Sequence, residues 1–466
     1  MYEKVNLKFL GVIYFLFPSM TLNSQEIKVK SFEETPNDLI ARTQEKLDAN
    51  GNSCAVVKVG IPLEDVVFKG WVIETISTPG EYIVYMPAGA SKITIQHKSI
   101  VPFVYNFETP IESKHTYKLI IEIKKENNKK RDYKVVDVSE EIKQLYVDGI
   151  SLQEKGQDSE ALKLFTKAAE AGYAPAQNKV GNYYVDTDPF KSIEWYRKAA
   201  AQGYPNSIFN IGIQYLKGDG VEKDEERAVH YFEEASEQDF PDALLCLGNS
   251  YWVGEGIAQD KGKAVWCYKK AAELGNSVAQ YNLGFSYLSG EGVAKDINQT
   301  IYWYKLSAEQ GFAPAQSGLG NRYFYGDGLE QNYSKAVSLF MKAAEQGDIE
   351  GQNQLGNCYN DGLGVNRDYS KAVQWYRKAA EQGDEVAQCN LANRYKLGQG
   401  VKQDYSKALF WYEKAAKRGY ADAQVCLGIF YYEGKGVVKN VKMAKFWCKK
   451  AADQGNSDAK LLLSLW

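Results

Sequence analysis

The chain predicts a mainly α fold: a right-handed α-solenoid of helical hairpins preceded by a small all-β, sandwich-like domain. Three observations carry that expectation. Helix-stop residues recur in strict register at Asp239, Gly275, Gly311, Gly347, Gly383, Gly419 and Gly455, each 36 residues after the last. Nearly every one closes a run such as Lys-Ala-Ala-Glu-Gln-Gly, and a fixed period of this length marks stacked supersecondary units. Upstream of about Ser139 the texture differs, with short β-branched runs alternating with turn residues.

At the N-terminus, Lys4 and Lys8 precede an apolar run from Phe9 to Phe17, then Pro18 and a polar stretch ending Asn23-Ser24-Gln25. The run is too short to cross a bilayer, which needs about 20 apolar residues, and it is built like a signal-peptide core. Residues 1–24 are therefore read as a Sec-type signal peptide cleaved near Ser24. No cysteine at that point offers a lipid anchor, and a periplasmic or otherwise exported protein is expected.

Residues 25–125 read as the β-sandwich-like domain. Runs such as Ala55–Val59, Val66–Ile76, Glu81–Tyr85, Lys92–Gln96 and Tyr117–Ile123 are punctuated by Asn50-Gly51, Thr78-Pro79-Gly80 and Pro87-Ala88-Gly89. Alternation with spaced turns points to antiparallel pairing. A charged connector, residues 126–138, follows; the polar, charged stretch from Lys124 to Arg131 suits solvent.

From Ser139 to Trp466 the period is helical. Each unit holds an Ala-Gln-x-x-Leu-Gly-x-x-Tyr helix, a Gly-x-Gly-Val loop, and a returning Asp-x-x-Lys-Ala-x-x-Trp-Tyr-x-Lys-Ala-Ala helix, most clearly between Asp348 and Gly383. Apolar residues at three- and four-residue spacing give both helices a buried stripe. Gly356, Ala372 and Ala379 let them approach closely. Asp368 is placed to cap the second helix, a role that Asp224, Asp260, Asp296 and Asp404 repeat. Asn456–Trp466 is left as a lone capping helix.

This pattern resembles the Sel-one-like repeat, a relative of the tetratricopeptide repeat. The gap between the small residues of the two helices is 16 in seven units, as from Gly212 to Ala228 and from Ala392 to Ala408. In the first two units it is 12 (Gly149 to Ala161) and 11 (Gly181 to Ser192), nearer an ordinary tetratricopeptide hairpin. The stretch Ser77–Ile95 is similar to the PEGA-type motif of surface-layer proteins. That resemblance implies envelope attachment through the β domain.

Chemistry finds few footholds. Net charge is −3 with pI about 5.9, so no nucleic-acid partner is expected. The three histidines are His97, His115 and His230. None has a nucleophile or ligand cluster placed beside it, so no catalytic residue, metal or cofactor is expected. His230 aligns with Gln374 and is expected to be exposed. The glycine loops follow a helix, whereas a dinucleotide fingerprint follows a strand. The seven cysteines, at 54, 246, 267, 358, 389, 426 and 448, share no fixed spacing, and buried, reduced thiols are the plain reading. Some cysteine-rich members of the resembled family imply a cell-wall-active or β-lactam-binding enzyme, but their regular cysteine pairs are missing here. The expectation is a non-enzymatic scaffold.

In tetratricopeptide relatives the residue after the small Gly or Ala of the first helix faces the concave groove. Here those positions are Asn182, Ile213, Asn249, Phe285, Asn321, Asn357, Asn393 and Ile429. An asparagine row offers donors and acceptors to the backbone of an extended peptide or protein ligand. Arg322, Arg394, Trp252 and Phe324 would add charge and aromatic contact. The alternative is that the asparagines satisfy neighbouring helix ends or merely cover the groove.

Overall fold

The computed structural model describes residues 25–34, 55–60, 67–70, 72, 74–78, 81–97, 100–107, 110–112, 116–125 and 133–466. The expected signal peptide and residues 126–132 of the connector lie outside these. The chain divides into two compact units, Met1–Leu274 and Gly275–Trp466.

The first unit begins with eight strands: β1 (Gln25–Glu34), β2 (Ala55–Gly60), β3 (Val67–Gly70), β4 (Glu74–Thr78), β5 (Glu81–Met86), β6 (Lys92–His97), β7 (Ile100–Asn106) and β8 (Thr116–Lys125). One sheet runs β1-β8-β2-β5-β4 and the other β3-β6-β7. Alternation turns Val57, Val59, Val84 and Leu119 of the first sheet onto the same core as Phe68, Ile93 and Ile95 of the second. Three details depart from the sequence reading. β2 and β8 run parallel, with Val57 level with Tyr117, so the first sheet is mixed; alternation reports which face is buried and carries no strand direction. The single run Val66–Ile76 is two strands, β3 and β4, in different sheets. β1 and β7, missed in the sequence, are edge strands, where lysines and Pro102 are tolerated.

Four hairpins follow: α1 (Glu140–Glu154) with α2 (Asp158–Glu170), and α3 (Ala174–Tyr184) with α4 (Pro189–Ala200). Then come α5 (Pro205–Lys217) with α6 (Glu225–Ser236), and α7 (Pro241–Val253) with α8 (Lys261–Glu273). The chain leading into them is not free in solvent. Tyr133 packs with Ile208 and Ala235, and its hydroxyl donates to Glu234 at 3.2 Å. The Val136 amide donates to Gln202 Oε1 at 2.9 Å.

The second unit continues with α9 (Ser277–Ser289) and α10 (Ile297–Glu309), α11 (Ala313–Tyr325) and α12 (Tyr333–Glu345), and α13 (Ile349–Asp361) and α14 (Tyr369–Glu381). It ends with α15 (Glu385–Leu397) and α16 (Tyr405–Lys417), α17 (Ala421–Glu433) and α18 (Val441–Asp453), and the single α19 (Ser457–Leu465).

The repeat motif now has physical causes. Asp368 Oδ1 accepts the Lys371 amide at 3.0 Å, and Asp224, Asp260, Asp296 and Asp404 cap in the same way. Gly356 lies so close over the Tyr376 ring that a Cβ there would stand 2.6 Å from Cδ1, which is why the first helix carries a small residue. In the loop, Gly364 has φ +72°, and a Cβ on it would meet the Tyr333 carbonyl oxygen of the preceding repeat at 2.4 Å. Asp239, in the helix-stop position elsewhere held by glycine, adopts φ +55°.

Glutamines join successive repeats. Gln316, Gln352, Gln388 and Gln424 each donate from Nε2 to the carbonyl of an alanine that ends the preceding hairpin: Ala308, Ala344, Ala380 and Ala416, at 3.0–3.2 Å. A second glutamine, at the end of the same hairpin, closes on three of them: Gln346 on Gln316, Gln382 on Gln352, and Gln454 on Gln424, each at 2.9 Å. The buried carboxamide thus satisfies a helix-end carbonyl that stacking removes from water.

Candidate partner-binding face

Four of the five predicted asparagines make one repeated contact. The hydroxyls of Tyr196, Tyr268, Tyr376 and Tyr412, on the second helix of each hairpin, donate to Oδ1 of Asn182, Asn249, Asn357 and Asn393 at 2.7, 2.9, 2.8 and 2.6 Å. Burial holds Tyr196 up at about 12, and also raises Tyr268, Tyr376 and Tyr412. These hydroxyls therefore stay protonated donors at neutral pH. The acceptor end of each carboxamide is engaged, and the NH2 end is left turned away from the tyrosine.

The fifth, Asn321, faces Phe340 across its hairpin and takes a different partner: Gln354 Nε2 donates to its Oδ1 at 3.2 Å. Asn357 Nδ2 in turn donates to Gln354 Oε1 at 3.0 Å, and Asn390 Nδ2 to Asn357 Oδ1 at 3.4 Å. A carboxamide belt so runs from α11 across α13 to α15. In the first unit Asn210 Nδ2 reaches both Asn178 and Asn182, at 3.1 and 3.2 Å. The sequence reading missed Asn178, Asn210, Gln354 and Asn390. The signal was available: Asn178 and Asn390 stand four and three residues before a predicted asparagine, on the same helical face.

The other predicted residues lie differently. Arg322 pairs with Asp327 in its own loop and its side chain is only 16% exposed. Arg394, 72 residues on, donates from Nη1 to Asn360 and Gln399 at 2.5 and 2.6 Å. Both Nε atoms are buried without a hydrogen-bond partner. These guanidinium groups serve the helix–loop junction, and Arg394 reaches Asn360 at the end of α13. Trp252 and Phe324 are half-buried at the end of their helices. Their carbonyls accept Gln259 and Gln331 at 2.8 and 2.9 Å, and Phe324 packs edge-on to Tyr333.

His230 is exposed, as its repeat position implied, and the side chains of His97 and His115 lie outside the described residues. Among the described residues no cluster of three or more His, Cys, Asp or Glu could hold a metal ion. None of their helices is long and apolar enough to cross a membrane.

The Sel1 repeat model matches nine consecutive segments: residues 144–173, 174–204, 205–240, 241–276, 277–312, 313–348, 349–384, 386–420 and 421–456. The chain belongs to the Sel1 repeat family. The two short hairpins at the start are included, so they too are Sel1 repeats. A protective antigen of uropathogenic Escherichia coli that displays an SLR fold is 34% identical, with TM-score 0.57, over 65% of this chain and 66% of that one. A Sel1 repeat protein from Oxalobacter formigenes is 34% identical over 52% of this chain and 96% of its own, with TM-score 0.49. Cysteine rich protein B of Helicobacter pylori is 32% identical over 28% of this chain and 96% of its own, with TM-score 0.24. No curated protein matches the chain. In this Sel1 solenoid Phe232 and Cys448 replace the tyrosine in units where Ile213 and Ile429 replace the asparagine, whereas Asn321 stands with Phe340 and Phe285 with Tyr304.

Proposed function

We propose that this Sel1 repeat protein is an exported interaction scaffold that holds an extended peptide or protein segment along its asparagine face. The observation that supports the reading is the orientation of the carboxamides. Four tyrosine hydroxyls engage Oδ1, which turns the amide end away from the tyrosine and, at Asn182, Asn357 and Asn393, sets it as a donor to peptide carbonyls. Each NH2 carries two protons, so even Asn357, which donates to Gln354, retains a second donor. Export rests on the apolar run Phe9–Phe17 behind Lys4 and Lys8, and the PEGA-like stretch Ser77–Ile95 supports envelope attachment through the β domain.

The test compares the full chain with a variant carrying alanine at Asn182, Asn249, Asn321, Asn357 and Asn393. Both are immobilised and exposed to envelope extract, with helix content checked by circular dichroism. A protein retained by wild type and lost by the folded variant supports the reading and names the partner. Equal retention by both places the binding face elsewhere and sinks it. Turnover of a chromogenic β-lactam by the same preparation would instead favour an enzyme on this fold.

A further inference from the structure

Positive charge in the second unit gathers on α18 and the loop that leads into it. Between Lys435 and Lys450 the sequence carries six lysines and no acidic residue, in a chain whose net charge is −3. One repeat earlier, residues 399–414 set three lysines against Asp404 and Glu413. The acidic positions themselves have changed. The cap of α18 is Asn440, whose Oδ1 accepts the Met443 amide at 3.0 Å, and Lys449 stands where Glu413 stands one repeat before. Asp453 ends the helix and is its single acid.

These lysines surround exposed apolar side chains. Ala444, Trp447, Cys448 and Ala451 form the buried side of α18, and Phe446 points the other way, 47% exposed. Lys442 lies four residues before Phe446, and Lys449 and Lys450 three and four after it, so all three share its helical face. They are exposed, as is Lys445. Lys450 Nζ stands 4.8 Å from the centre of the Phe446 ring, which joins charge and ring in one amphipathic surface. Val438, in the loop entering the helix, is 86% exposed. Among the described residues no acidic side chain comes within ion-pair distance of Lys442, Lys445 or Lys449. On α16 the equivalent Phe410 is also exposed, but Lys407 and Lys417 beside it pair with Asp404 and Glu413 at 3.6 and 3.5 Å. The charge on α18 is thus left for a partner.

We propose that the outer face of α18 docks the protein on an anionic lipid bilayer. Lys442, Lys445, Lys449 and Lys450 meet headgroup phosphates, and Phe446 and Val438 enter the interface below them. A soluble polyanion or an acidic protein surface would satisfy the lysines and leave Phe446 and Val438 in water. An anionic bilayer takes up both, since its surface potential attracts the cations and its headgroup–acyl boundary accepts the apolar side chains. The contact is peripheral: the helix stays packed on its own hairpin through Trp447 and Cys448, and only side chains reach the lipid. It is independent of the asparagine face and of the β domain.

The test floats the full chain with vesicles of phosphatidylcholine alone and with vesicles in which about one third is phosphatidylglycerol. Binding to the anionic vesicles should exceed binding to the neutral ones by about tenfold or more and should fall as salt is raised. A variant combining Lys442→Gln, Lys445→Gln and Lys449→Gln should lose about tenfold or more of that affinity. Phe446→Ser should weaken vesicle binding about threefold or more while leaving retention on dextran sulfate, a lipid-free polyanion, unchanged. Helix content of each variant is checked by circular dichroism. The proposal is overturned if wild type binds both vesicles alike or neither, or if the lysine variant floats as wild type does. Phe446→Ser with undiminished flotation overturns it as well, in favour of a polyanion or an acidic protein as the ligand. The three lysines are exposed and glutamine is a good helix former, so the lysine variant decides even where Phe446→Ser does not fold.

Discussion

Replacing Arg418 with glutamine should make the second unit more stable. At the equivalent point of other hairpins Gln346, Gln382 and Gln454 donate to the Oε1 of Gln316, Gln352 and Gln424 at 2.9 Å. Arg418 holds that point 36 residues after Gln382, and the Oε1 it should serve, on Gln388, is buried without a partner. A buried acceptor left unpaired costs about 1–3 kcal/mol. In return Arg418 pairs with Glu385 at 3.6 Å, between side chains 60% and 42% exposed, and such a pair contributes about 0–1 kcal/mol. The net expectation for Arg418→Gln is a gain of about 1 kcal/mol, which raises Tm by about 2–4 °C for a unit of this size. Thermal unfolding followed by far-ultraviolet circular dichroism reads it directly. In a Gln388→Met background the same change should give no gain, because there is no carboxamide oxygen to satisfy. An Arg418→Gln chain that melts at or below wild type would refute the account of the glutamine relay.

Three further outcomes are expected. Gly364→Ala should cost about 3 kcal/mol or more, because the left-handed φ and a clash with the Tyr333 carbonyl add. Gly347→Ala, at φ +93° with open space around it, should cost about 1 kcal/mol, and equal urea midpoints for the two would show that the inter-repeat contact is slack. Tyr376→Phe should lose about 1 kcal/mol in wild type and nothing in an Asn357→Ala background, as a double-mutant cycle would report. Glu233 is raised to about 7, first by burial and then by Glu237. The fold prefers its protonated form, so this contribution is present below the ordinary carboxylate range and is lost as pH rises towards 7. Screening of the half-buried side chain limits the loss to about 2 kcal/mol. Urea unfolding should show less stability at about pH 8 than at about pH 5, and Glu233→Gln should flatten that difference.

Much of the fold was legible because its causes lie within one repeat. Asp368 as a cap and Gly356 as the small residue under Tyr376 need only their own hairpin to make sense. The glutamines did not read so easily: Gln352 looks like a polar residue on a helix until the preceding repeat supplies Ala344 and its own hairpin supplies Gln382. The β segment showed which residues are buried but not that β2 runs parallel to β8, since a strand's side-chain period is the same in either direction. The candidate face was half legible. The asparagine row could be aligned, but its partners were hidden because a tyrosine in a Trp-Tyr pair reads first as core. Arg322 and Arg394 looked like free charge, and only the fold shows them turned into Asp327, Asn360 and Gln399.

The press of a loop glycine on its neighbour recurs without change of register. Gly364 meets Tyr333, Gly400 meets Tyr369 and Gly436 meets Tyr405, always at the backbone that opens the preceding repeat's second helix. These joints are therefore one joint repeated, while Gly328 meets the Ile297 and Ile301 side chains in place of the backbone. A crossover between misaligned copies of such DNA would add or remove one 36-residue segment and, among repeats that share this joint, still leave the junction properly made. The length of the array can drift by whole repeats over generations while side chains on its faces diverge one by one, so lineages could try longer or shorter binding surfaces without first solving a new packing problem.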